Sequence, residues 1–169
     1  ILAQDYAGPL SVLIVVDQDD PATATAGLPD DPRITIITNQ RKPGLSGTRN
    51  TGILAATSDL IAFCDDDDEW LPSKLAKQVV RLVGTPAAEF ASCSIEVDFE
   101  GTRSERLAGK SVITHEDLLP SRMSMLHSST FVATRSGLVD GFGLIDEDVP
   151  GSQNEGWDIL LRASERQPI

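Results

Sequence analysis

The sequence predicts an α/β fold, a mostly parallel sheet flanked by helices, in a single domain spanning residues 1–169. Three observations point to it. Residues 10–16 (LSVLIVV) and 33–38 (RITIIT) are apolar runs rich in β-branched side chains, as strands buried on both faces of a parallel sheet are. Stretches with helical spacing separate the strand-like runs along the first half of the chain. Polar clusters, 17–20, 39–49 and 65–68, each follow a run, where α/β sheets bind ligands at the carboxyl ends of their strands. The three clusters are therefore expected on one edge of the sheet.

The elements follow in order. Residues 1–4 resemble the last turn of a helix. The first strand covers 10–16. Residues 22–26 are weakly helical, Asp30-Asp31-Pro32 is a turn, and 33–38 is a second strand. Pro43-Gly44 marks a turn, with Ser46 as helix N-cap and a helix to about Thr57. Gly52, Ala55 and Ala56 on that helix permit close packing on the sheet. The third strand is 59–64. After Pro72, Leu75, Val79, Leu82 and Val83 make an apolar stripe opposite Lys74, Lys77, Gln78 and Arg81. Residues 89–99 read as a strand, Gly101-Thr102 as a turn, and 103–110 as a short edge strand. Thr114 caps a short helix. Residues 128–134 are a strand entered from His127. Residues 135–139 form a short helix ending at Gly141. Residues 143–151 are an acidic loop, and 155–163 an amphipathic helix.

Composition excludes several classes. The 169 residues are 40% hydrophobic and 24% charged, ordinary for a globular domain. The net charge of −12 argues against nucleic acid as a partner. No apolar run approaches the ~20 residues of a transmembrane segment. Cys64 and Cys93 lie in apolar runs and read as small core residues, not as a disulfide or metal pair. A reducing cytoplasm is the expected compartment.

The chain's densest chemistry is at 60–72. An apolar run, Leu60-Ile61-Ala62-Phe63-Cys64, enters five consecutive acids, Asp65 to Glu69. Carboxylates at ~4 Å repel by ~4 kcal/mol at an effective dielectric near 20, and a divalent cation relieves that repulsion. A solvated acidic loop is the other reading. Arg41, Lys42 and Arg49 near a helix start fit either a phosphate cradle or a surface basic cluster balancing an acidic protein. His127 is either a packed, hydrogen-bonded residue or a metal or phosphate ligand.

Five blocks, in order, resemble family 2 glycosyltransferases of the GT-A, Rossmann-like fold. Ile1-Leu2-Ala3-Gln4-Asp5-Tyr6 is similar to "S-I-L-x-Q-x-Y", and Leu13-Ile14-Val15-Val16-Asp17 to the strand ending "V-V-D-D-G-S". The run from Gly44 to Ile53 (GLSGTRNTGI) is similar to "G-L-S-x-A-R-N-x-G-I". The run from Ile61 to Leu75 (IAFCDDDDEWLPSKL) is similar to "I-A-F-L-D-x-D-D-x-W-x-P-x-K-L". The run from Glu155 to Arg162 (EGWDILLR) is similar to "E-D-W-D-L-x-L-R". The family's opening strand, "S-V-I-I-P-T-Y-N", has no counterpart. The chain is therefore expected to be a fragment, incomplete at its N-terminus and at its C-terminus too.

The resemblance implies transfer of a sugar from a nucleotide-diphosphate sugar, such as a UDP-sugar, to an acceptor hydroxyl with inversion. The acceptor would be a sugar, lipid or polysaccharide, and the compartment the cytoplasm or the inner face of the membrane. Asp65 and Asp67 match the D-x-D motif and would hold Mn2+ or Mg2+. Asp66 and Asp68 would contact the donor sugar or ribose, Asp17 the nucleoside base, and Arg49 and Asn50 the diphosphate or uracil. Two positions depart from the pattern. Gln18 replaces the second acid of "D-D-G-S", and Gly156 replaces the usual catalytic Asp. The expected base is then Glu155, with Asp158 the other candidate. The competing readings are a nucleotidyltransferase and a non-catalytic nucleotide-sugar-binding module. Gly156 favours the module.

Overall fold

The computed structural model describes residues 1–149 and 154–169. The parallel pair comes first. Strands β1 (Val12–Val16) and β2 (Ile34–Thr38) run side by side, Val12 opposite Ile34 and Val16 opposite Thr38. Between them lies one helical turn, α1 (Pro21–Ala24), capped by Asp20, whose carboxylate accepts from the Ala22 amide at 3.2 Å.

Helix α2 (Leu45–Ala55) packs across β1. Its N-cap is Gly44, not Ser46. Gly44 has φ +116°, a conformation that costs a residue with a β-carbon and not a glycine. Ser46 lies inside the first turn and is buried. At Gly47 a β-carbon would sit 1.9 Å from the Lys42 carbonyl, so only glycine lets the loop fold back on the helix. Gly52 brings α2 close to Val15, as its size predicts. Ala55 is exposed.

Strand β3 (Leu60–Ala62) belongs to a second sheet, ordered β3-β7-β4, with β4 (Phe90–Ala91) and β7 (Val132–Thr134). Strand β7 runs antiparallel to both neighbours: Ala62 and Ala91 each face Val132. The fold class is thus α/β, with its parallel part confined, among the described residues, to β1 and β2. The late strand β7 occupies the centre in the reverse direction. It is buried on both sides. Val132 packs under α3 (Lys74–Val83) with Leu75 and Leu82. Phe131 and Ala133 face the other way, into the core with Ile53, Phe90, Leu138 and Ile159.

Helix α3 follows the predicted stripe at Leu75 and Leu82, but Val83 is 73% exposed and Gln78 is buried. The Gln78 amide donates to the Thr130 carbonyl at 2.6 Å, which accounts for a polar residue on the inner face. The run 89–99 is broken after Ala91, and β5 (Ile95–Phe99) leaves the sheet to form a hairpin with β6 (Thr102–Arg106). Glu100 and Gly101 make its turn, both at positive φ. Helix α4 (His115–Leu118) starts at a capping box of Thr114 and Asp117, as expected of Thr114. Residues 128–130 form a 3-10 turn before β7, where a longer strand was expected. Gly137–Gly141 forms a π-helical turn. Residues 1–4 make a turn closed by Gln4 N–H on the Ile1 carbonyl, not a helix end. Helix α5 (Glu155–Arg166) closes the core with Ile159, Leu160 and Ala163. The acidic loop expected over 143–151 is described as far as Val149; its last two residues lie outside the described residues.

Candidate active site

The acidic turn leaves β3 and is held in place by the 3-10 turn. Phe63 N–H donates to the Phe131 carbonyl at 3.2 Å, and Asp65 N–H to Ser129 Oγ at 2.9 Å. Trp70, buried beyond the turn, donates its indole N–H to the Ser129 carbonyl at 3.0 Å. Both ends of the turn are thus anchored to one short segment that precedes the central strand.

Arg49 of α2 reaches this turn. Its Nη2 donates to Asp65 Oδ1 at 2.6 Å and to Ser128 Oγ at 2.9 Å, and its Nη1 to Glu155 Oε1 at 3.3 Å. Ser128 Oγ donates to Asp65 Oδ2 at 2.8 Å. The side chains of Arg49 and Glu155 are 9% and 11% exposed, so the pairings are weakly screened. Glu155 is the first residue of α5, where the free N–H groups favour a negative charge. Burial pushes the Asp65 carboxyl up. The charge of Arg49, with hydrogen bonds from Arg49 and Ser128, outweighs it and holds the group below the usual aspartate range.

Asp158, the other candidate base, is turned to Arg162 one helical turn along α5. Arg162 Nε and Nη2 donate to Asp158 Oδ2 at 3.0 and 2.7 Å, and the same guanidinium also serves the Phe142 and Leu144 carbonyls. Asn50 is fully buried and committed to the 144–148 segment. Its Nδ2 donates to the Ile145 carbonyl and to Glu147 Oε1, both at 2.7 Å, and its Oδ1 accepts from the Ile145 amide at 2.9 Å. Asp17 closes the loop after β2. It accepts from Asn39 Nδ2 at 2.6 Å and from the Gly44 amide at 2.9 Å, and the Asn39 bond is the main reason its carboxyl lies below the usual range. The three clusters lie on two different sheets but are linked by contacts: Asp17 meets the 39–44 loop, and α2 carries Arg49 from there to Asp65. The basic cluster is paired with acids. Arg41 binds Glu147, and Lys42 binds Asp148 at 2.9 Å.

Asp66, Asp67 and Asp68 are exposed. Asp65, Asp68 and His127 each offer one ligand atom within 4.8 Å of the others, two carboxylate oxygens and an imidazole nitrogen, a donor set that fits a divalent cation. Sequence reasoning missed Ser128 and Ser129, which carry no motif of their own; their only signal was adjacency to His127. At Gly156 a β-carbon would lie 3.9 Å from Phe131, an ordinary contact, so the position has room for a side chain.

The family model described as glycosyl transferase family 2 matches residues 1–138. Among curated relatives, the uncharacterized glycosyltransferase YwdF of Bacillus subtilis is 27% identical over 92% of this chain and 58% of its own length. The GalNAc(5)-diNAcBac-PP-undecaprenol beta-1,3-glucosyltransferase of Campylobacter jejuni is 32% identical over 70% of this chain and 41% of its own. The UDP-Glc:alpha-D-GlcNAc-diphosphoundecaprenol beta-1,3-glucosyltransferase WfgD of Escherichia coli is 36% identical over 49% and 33%. The chain spans about half the length of the relatives it matches over most of its residues. With five motif blocks in order and a family match over most of its length, the chain belongs to glycosyl transferase family 2.

Proposed function

We propose that the protein moves a sugar from a nucleotide-diphosphate sugar to an acceptor hydroxyl, with the donor diphosphate bound at the acidic turn. The observation that carries this reading is Arg49 standing between Asp65 and Glu155. It puts a cation, a carboxylate of the D-x-D motif and a second carboxylate within one side chain's reach. Asp17 serves the nucleoside end and Asp66 the donor sugar. The names of two relatives carry a diphosphate-linked undecaprenol acceptor, and one carries UDP-Glc. A UDP-sugar donor and a lipid-linked acceptor at the cytoplasmic face of a membrane are the corresponding proposal here. No described helix is long and apolar enough to cross a membrane.

In this mechanism the acceptor oxygen bonds to the anomeric carbon as the bond to the diphosphate oxygen breaks. A divalent ion, Mn2+ or Mg2+, held through Asp65 would offset the charge on the departing diphosphate. Arg49 stabilises the same charge. Glu155 takes the acceptor proton. Glu155 suits this role better than Asp158, whose carboxylate is engaged by Arg162. Arg49 Nη1 pairs with the Glu155 carboxylate at 3.3 Å. A diphosphate that draws Arg49 toward itself releases the carboxylate.

Replacing Glu155 with Gln is expected to lower kcat by about 10²–10⁴-fold while leaving UDP affinity within a few-fold. Steady-state transfer assays paired with calorimetry check this. Undiminished turnover would remove Glu155 from the mechanism. The same burial and pairing of Glu155 favour a second reading, a module that binds a nucleotide sugar without transferring it; UDP-sugar binding with neither transfer nor hydrolysis would establish it.

A further inference from the structure

We infer that the hollow beside the Arg49–Glu155 pair is a specificity pocket for an acetamido group, and that the acceptor is an N-acetylated amino sugar. This rests on the transferase reading and names its acceptor's chemical class. The hollow is small. It measures about 220 Å³ including its open mouth, below the roughly 300–1,000 Å³ of a site for a whole small-molecule ligand. It therefore takes one substituent, not a sugar ring or a nucleotide. Four buried apolar side chains line it, Phe63, Phe131, Ile145 and Ile159, together with Gly156 of α5. A water among them would need roughly two to four polar partners, which apolar side chains do not offer. A methyl group needs none and gains by leaving solvent.

Gly156 keeps the hollow open. A β-carbon there would lie 3.9 Å from the Phe131 ring, an ordinary contact, so alanine fits. Alanine is also the better helix former. Packing and propensity both permit a side chain, and glycine leaves the space to a ligand. Arg49 and Ser128 complete the lining. Arg49 binds Asp65, Ser128 and Glu155 through its two terminal nitrogens, and its Nε–H has no partner among the described residues. Glu155 is paired through Oε1, and its Oε2 accepts from no group among the described residues. An acetamido group has three parts: a methyl, a carbonyl acceptor and an N–H donor. They match the apolar lining, the guanidinium and the carboxylate. A sugar hydroxyl would leave the apolar lining unfilled, and a deoxy-sugar methyl would leave both polar groups unmatched. With the acetamido group seated, the hydroxyl on the neighbouring ring carbon comes to Glu155, the group that takes the acceptor proton.

The test is binding of methyl glycosides to the full-length protein, followed by saturation-transfer difference NMR with and without UDP. The probes are methyl N-acetylglucosaminide and methyl N-acetylgalactosaminide, each against the plain methyl glucoside or galactoside. Expected is tighter binding of an N-acetylated member by about tenfold or more, with the strongest saturation on its acetyl methyl protons. Gly156→Ala fills the hollow and brings the preference down to a few-fold. Ile145→Val enlarges it by one methyl group and moves the preference toward the N-propionyl analogue. Equal binding of acetylated and plain glycosides, an undiminished preference in Gly156→Ala, or no glycoside binding overturns the pocket. An acetamido preference confined to the donor, UDP-N-acetylglucosamine over UDP-glucose by calorimetry, also overturns it. The donor reading fails separately: no UDP binding by calorimetry overturns that reading, while the glycoside titrations decide the pocket.

Discussion

Lys74 shows how one side chain can hold a cost that the fold tolerates. Its Nζ is buried without a hydrogen-bond partner and lies 4.1 Å from the centre of the Trp70 ring. Burial pushes its pKa from 10.5 down to about 8, against a small upward pull from Cys93 and Cys64. The unfolded chain therefore binds the proton more tightly between pH 8 and 10.5. Stability from this group is lowest below pH 8 and rises through that window. Lys74→Met is expected to raise stability at pH 7 by on the order of 3 kcal/mol and to flatten the rise. Urea unfolding at about pH 7, 8, 9 and 10 checks it; a wild-type-like rise in the variant would contradict it. The sequence placed Lys74 on the polar face of α3, because periodicity reports position on a helix and not how far a long stem folds inward.

At the scale of elements, the site depends on two short segments clasped from a distance. Helix α2 holds 144–148 through Asn50, and the 3-10 turn holds the acidic turn through Ser128 and Ser129. Asn50→Ala leaves the Ile145 amide and carbonyl without their partner and should cost about 1–3 kcal/mol. Hydrogen exchange should then accelerate at residues 144–149 more than in β7; uniform protection would argue against the clasp. The acidic turn, Arg49 and the start of α5 were legible because each lies in a contiguous block. The pairing of Asp68 with His127 was not, since the residues are far apart in sequence and meet only because β7 runs back beside β3. The shift of the α2 cap to Gly44 was equally hidden. Ser46 has the chemistry of a cap, but the backbone at Gly44 decides where the helix begins.

For the whole molecule, the alternation of apolar runs was enough to predict an α/β class, but not that β3 and its acidic turn belong to a different sheet from β1 and β2. Strand direction was not readable. The sequence of 128–134 (SSTFVAT) carries no mark of strand direction, and only the antiparallel register of Val132 with Ala62 and Ala91 reveals its reversed course at the centre. The proposed function rests, at this scale, on a nucleoside diphosphate bound through Asp65, Arg49 and a divalent ion. Calorimetric titration of the full-length protein with UDP decides whether it binds. The expected result is binding in Mn2+ that weakens about tenfold or more in chelator or in Asp65→Asn. Binding of equal strength under all three conditions, or none in any, would contradict it.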